Sequence, residues 1–111
     1  MKKEIIVKTM KNLIEMLVLG HFDLVFDLDY MKSITLKDIK DEILAFPGQL
    51  TIPADANFQN LDIYETDFAN QVCIDFPLWF NNSESDLTLQ CRIFDVGERE
   101  YRYSIEDIHV L

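Results

Sequence analysis

Two periodicities divide the chain. Up to about residue 46 the apolar positions recur at helical spacing. From Leu50 onward they alternate. In residues 4–19, Ile6, Met10, Leu13, Ile14 and Leu17 make one stripe, while Lys8, Lys11, Asn12 and Glu15 lie mostly opposite it. Val18 and Leu19 widen the stripe, and Gly20 suits the C′ position, where a left-handed conformation costs it little. His21–Tyr30 fits a short second helix, with Phe22, Val25, Phe26 and Asp29 at helical spacing. A strand fits its alternating parts nearly as well. The helix is preferred because Gly20 leaves a short link and a clear helix start follows. Thr35-Leu36-Lys37-Asp38 resembles a capping box with Asp in place of Glu. It opens a helix to about Ala45, striped by Leu36, Ile39, Ile43 and Leu44 and ended by Phe46-Pro47-Gly48.

Leu50–Ile52 reads as a short strand stopped by Pro53, Ala54–Asn60 as a loop, and Leu61–Thr66 as a second strand. Val72–Phe94 reads as a hairpin. Val72, Ile74, Phe76 and Leu78 alternate with Cys73, Asp75, Pro77 and Trp79, and Leu87, Leu89, Cys91 and Ile93 alternate likewise after the polar turn Asn81–Ser85. Setting Leu78 opposite Leu87 places Phe76 against Leu89 and Ile74 against Cys91, with every large apolar side chain on one face. Cys73 and Cys91 then lie on opposite faces and cannot form a disulfide. After a turn at Asp95–Glu98, with Gly97 at positive φ, Arg99–Ile105 is the next strand, expected to set Ile93 against Tyr101 and Cys91 against Tyr103. Ser104–Asp107 is expected to cap one helical turn, and Ile108–Leu111 to form a short terminal strand or strap. Helices first and antiparallel strands second indicate a single α+β domain over residues 1–111, with N-terminal helices packed on a curved antiparallel β-meander. By analogy this is a roll of the cystatin or nuclear-transport-factor type, which by itself says nothing of activity.

Charge changes this picture in one respect. The chain carries a net −10, unevenly placed: residues 1–50 hold 8 acidic and 7 basic residues, and residues 51–111 hold 12 and 3. The strand half is therefore strongly acidic. No basic patch is present to displace counterions from a nucleic acid, so a nucleic-acid partner is not expected; an acidic face suits a basic protein, or solubility. No apolar run approaches a membrane span and no signal-peptide pattern follows the first lysines. With two unpaired cysteines, the expected compartment is the reducing cytoplasm.

No catalytic or cofactor motif stands out, and the chain is not expected to be an enzyme. His21 with Asp23, and His109 with Asp107, would be Asp-oriented histidines if on strands, but no nucleophile accompanies them. Two histidines and two cysteines do not supply a zinc set, and the acidic cluster Asp23, Asp27, Asp29 lacks the spacing of a calcium loop and reads as a solvated face. No metal or cofactor is therefore expected. Asp75 and Glu100 could pair as carboxylates; with Arg92 and Arg102 nearby, a cross-strand salt-bridge network is the simpler account. Trp79 falls on the non-core face beside the acidic turn and is a candidate binding anchor, unless a helix or the terminal strap covers it.

Phe76-Pro77-Leu78-Trp79, Ser85-Asp86-Leu87-Thr88-Leu89 and Ile105-Glu106-Asp107-Ile108-His109-Val110-Leu111, with weaker support from Thr35–Ile39, resemble a small bacterial domain of unknown function. Some small domains of this kind sit beside polymorphic or contact-dependent toxins and are suspected immunity proteins. The resemblance implies a shared fold and a toxin-neutralising role, and defines no functional residues. The expected function is thus that of a binding protein, an immunity protein neutralising a cognate nuclease-type toxin through Asp62, Glu65, Asp67, Glu84 and Asp86, with Trp79 as anchor. The alternatives are a small-ligand or enzymatic module with a pocket between helices and sheet, lined by Asp75, Glu100 or His109, and a homodimer of housekeeping role pairing through the mixed sheet face.

Overall fold

A computed structural model describes residues 1–111. Its elements, in order, are α1 (Lys3–Val18), α2 (Phe22–Leu28), α3 (Leu36–Ala45), β1 (Leu50–Thr51), α4 (Asp55–Gln59), β2 (Asp62–Glu65), β3 (Gln71–Phe80), β4 (Ser83–Asp95) and β5 (Tyr101–Val110). The five strands form one antiparallel sheet in the order β1-β3-β4-β5, with β2 also on β3. This is an α+β fold with the helices N-terminal.

The helical half follows its pattern closely. All five stripe residues of α1 are buried, joined by Val7. The helix closes in a Schellman motif: Gly20 at φ +76° donates to Leu17 O, and His21 N–H donates to Met16 O. The 21–30 segment is helical over Phe22–Leu28. At α3 the Thr35 hydroxyl accepts the Asp38 N–H at 3.1 Å, the Thr half of a capping box. Leu44 departs from its stripe and stands 70% exposed. Ala54–Asn60 is not a plain loop but holds α4, five residues long, too short for periodicity to reveal. Its one large apolar residue, Phe58, is fully buried and stacks on Phe76 at 5.3 Å between centroids.

The sheet keeps the expected faces, with local changes of register. Phe76 opposes Leu89 and Ile74 opposes Cys91, as the alternation requires. The hairpin turn is shorter than the polar stretch suggested: Asn81 and Asn82, at φ +51° and +63°, make a two-residue connection, and β4 starts at Ser83. Leu78 therefore does not pair with Leu87. Ser85 to Leu87 lie across from the single residue Leu78, whose carbonyl accepts the Ser85 hydroxyl at 2.7 Å. Between β4 and β5 the register lies two residues from expectation, with Ile93 on Tyr103 and Cys91 on Ile105. The loop is closed by an Asp95–Tyr101 pair, with Gly97, Glu98 and Arg99 all at positive φ and Asp95 Oδ1 accepting the Gly97 N–H. A two-residue shift preserves parity, so Tyr103 is buried and Tyr101 packs at the core margin. Ser104–Asp107 is not a helical turn. β5 runs through it with a bulge that leaves Glu106 as the extra residue, and of the two readings of Ile108–Leu111 the strand holds, as the end of β5 through Val110. One cluster of 24 buried residues joins α1–α4 to the Ile74, Phe76, Leu78 face of the sheet. The two cysteines are free, Cys91 in this core and Cys73 half-buried on the opposite face.

Asp29 overturns the reading of the Asp23, Asp27, Asp29 cluster as a solvated face. Asp23 and Asp27 are exposed, but Asp29 is wholly buried. It caps α2, and from there the chain passes along the outer edge of β5. Tyr30 N–H donates to Tyr103 O at 2.9 Å, and Met31 N–H to Ser104 Oγ at 2.6 Å. Asp29 Oδ1 accepts from the Ser104 hydroxyl and the Lys32 N–H, and Oδ2 from the Ile105 N–H, each at 2.8 Å. Lys32 Nζ donates to the Asp27 and Asp29 carbonyls at the helix end. No cation faces the carboxylate, so these three donors offset its desolvation. Replacing Asp29 with Ala strands them in the interior and is expected to lower unfolding stability by about 3 kcal/mol or more; Asp29→Asn, which keeps one acceptor oxygen, should lose less. Urea denaturation at constant m-value checks both.

Candidate functional site

The helices cover one face of the sheet. The other carries the odd positions of β3, all half-buried: Gln71, Cys73, Asp75, Pro77 and Trp79. One end of this face is closed. Tyr30, delivered by the Asp29 link, lies against buried Phe94 at 5.0 Å, and the Arg102 guanidinium stands 4.8 Å over the Tyr30 ring. At the other end no aromatic ring or cation stacks on Trp79. Trp79 pairs with Thr51 and Glu84 and is neither buried nor fully exposed.

Cross-strand register sets the charges of the open face in rows. Tyr64, Cys73, Arg92 and Ser104 form one row, and Asp62, Asp75, Gln90 and Asp107 the next. The second row holds three carboxylates and no cation. Asp62 and Asp75 are direct antiparallel partners, an arrangement of like charges that costs stability. Near them β1 and β2, which share one margin of β3, leave Phe76, Pro77 and Leu78 without an outer partner. Proline suits such a position, since a missing N–H there is least costly. A cleft of about 230 Å³ opens at this break, with Asp62, Asp75 and Glu84 on its walls beside Asn57 of α4 and Asn60, its C-cap.

The structure therefore brings part of the expected acidic set together. Asp62 and Glu84 share the cleft, Glu65 and Asp67 continue along β2 and the turn after it, and all four are exposed beside the exposed aromatics Tyr64 and Phe68. Asp86 is exposed but belongs to the β5 side, where its carbonyl accepts the Leu111 N–H. Asp75, Asn57 and Asn60 were missed as members of this site. Only the β2–β3 register joins Asp75 to Asp62, and only α4 with its C-cap brings the two asparagines to the cleft. None of Asp62, Glu65, Asp67, Asp75, Glu84 or Asp86 makes an ion pair; the three Lys/Arg ion pairs lie elsewhere, Lys11 with Asp55, Lys37 with Asp41 and Arg92 with Glu106.

Other candidates are separated. The expected network of Asp75, Glu100, Arg92 and Arg102 does not form. Arg92 bonds Glu106 at 2.6 Å and Gln71 at 2.9 Å, Asp75 faces Gln90, and Glu100 lies in the turn before β5. Asp75, Glu100 and His109 share no cavity; the core occupies the centre between helices and sheet, and clefts of about 220 and 270 Å³ open at its margins, the first beside Glu100 and the second beside Leu50 and Phe80. His109 Nδ1 lies 3.0 Å from Asp107 Oδ2, close enough to attract when protonated but not aligned for a hydrogen bond. His21 precedes α2 rather than sitting on a strand, so the i, i+2 geometry with Asp23 does not arise. No three His, Cys, Asp or Glu side chains converge to hold a metal ion, and no helix is long and apolar enough to cross a membrane.

Two measurements test this geometry. Asp62→Asn removes one member of the opposed pair and is expected to raise stability by roughly 0.2–1 kcal/mol in urea denaturation. Burial pushes both thiols up from their ordinary range; at Cys73 the Arg92 charge partly opposes this. A disulfide reagent at pH 8 should therefore find one slow thiol, Cys73, and reach Cys91 only on unfolding.

Residues 14–111 match the family described as a domain of unknown function, DUF7668, and the chain belongs to that family. No curated protein and no solved structure matches it.

Proposed function

We propose, for this member of the family, that it is a binding protein that neutralises a basic partner, an immunity protein for a cognate nuclease-type toxin. The observation that carries the reading is the unpaired acidity of the β2 margin. Asp62, Glu65, Asp67 and Glu84 are exposed, without cations, and set beside Tyr64, Phe68 and half-buried Trp79. Carboxylates held unpaired beside aromatics are the complement of a basic surface lined for a phosphate backbone. The mechanism is steric and electrostatic: the acidic margin docks over the substrate groove, and long-range attraction speeds the encounter. The cytoplasm is the compartment in which such a partner would be met.

The test is a mixing experiment with the product of the neighbouring gene. A complex should form in size-exclusion chromatography, its association rate should fall steeply between low and physiological salt, and Glu65→Lys with Asp67→Lys should weaken it at least about tenfold. A neighbouring product that is not a toxin, or a complex indifferent to salt and to both reversals, would sink the reading.

A further inference from the structure

We propose that the outer edge of β2 is a strand-docking edge that takes an extended, lysine- or arginine-bearing segment of a partner protein. The proposal rests on the acidic-docking reading above and gives it a mode. The two margins of the sheet are treated differently. On β5 the outward groups of Tyr103 and Ile105 are taken by Tyr30 and Asp29. On β2 the backbone bonds only inward to β3, and no other hydrogen bond reaches Asp62, Ile63, Tyr64 or Glu65. An unpaired edge is a template for another strand.

Alternation then states what the added strand must carry. Asp62 and Tyr64 stand on the open face, in register with Asp75 and Cys73, while Ile63 and Glu65 turn to the helix side. A cationic residue opposite Asp62 would extend the row Asp62, Asp75, Gln90, Asp107 with the charge it lacks. Its neighbour's alkyl stem could lie on Tyr64, which is 51% exposed. The same charges disfavour a second copy of this chain. Residues opposed in an antiparallel ladder share a face, so self-pairing centred on Ile63 sets Asp62 against Tyr64; it gives Asp62 no cation and brings two acidic strand halves together. The charge that the row lacks comes from a basic strand of a different protein.

The probe is an eight-residue peptide of alternating lysine and valine, titrated at low salt into the isotope-labelled full chain and followed by backbone NMR. Shifts and slowed amide exchange are expected at residues 62–65, and none with the glutamate–valine counterpart. Of two peptides N-methylated at alternate amides, the one blocked on its docking side should bind at least about tenfold more weakly. Asp62→Asn with Glu65→Gln, both at exposed positions, should weaken binding about tenfold without loss of fold. Equal binding of both N-methylated peptides, shifts confined to Asn81–Asp86, or no binding at millimolar peptide would each overturn the proposal. The neighbouring-gene assay decides the acidic-docking reading separately, so the two failures are distinguishable.

Discussion

The buried carboxylate of Asp29 is the joint on which the two halves of the molecule depend. It terminates α2, satisfies the Ile105 and Ser104 donors of β5, and turns the chain through Lys32 at φ +52° toward α3. A buried carboxylate without a cation is tolerated there because its oxygens accept from three donors. The geometry also explains the β5 bulge. The extra residue, Glu106, lets Ile105 and Ile108 both face the core while the Ile105 N–H meets Asp29. Helix docking, edge protection and strand register are thus tied to one side chain.

From this joint the open face follows. Tyr30 comes off Asp29 already placed against Phe94 and under Arg102, closing one end of the sheet. The other end is shaped by the hairpin tip. Asn81 N–H donates to Gln49 O, Asn81 Oδ1 accepts the Gln49 N–H, and Thr51 Oγ1 accepts the Asn82 N–H. Gly48, at φ +103°, approaches so closely that a Cβ there would lie 2.7 Å from Asn81 Nδ2. β1 is thereby held beside Trp79 but ends at Thr51, and the gap before β2 becomes the acidic cleft.

The sequence carried the periodic parts of this fold well. The α1 stripe, the Gly20 stop, the core parity of β3 and β4 and the separation of the two cysteines all rest on repeats of several turns or pairs, where one slip would expose a row of apolar side chains. What was not legible is what a single residue decides. α4 has one anchor, Phe58. The two-residue turn at Asn81–Asn82 was hidden in a longer polar run. Asp29 looked like its exposed neighbours because burial of a carboxylate depends on donors more than seventy residues away. The acidic site shares this character. Composition located the charge in the strand half, but the opposition of Asp62 to Asp75 is a fact of register between strands of unequal length.

The unequal treatment of the two margins limits how such a sheet can grow. Ordered fibrils and swapped arrays need every unit to offer two receptive edges, one to give and one to receive. This domain has spent one of them on its own Asp29–Tyr30 link. A strand that joins it at β2 meets, across the sheet, a margin whose middle is already closed at Tyr103 and Ile105, so this domain favours growth from one side.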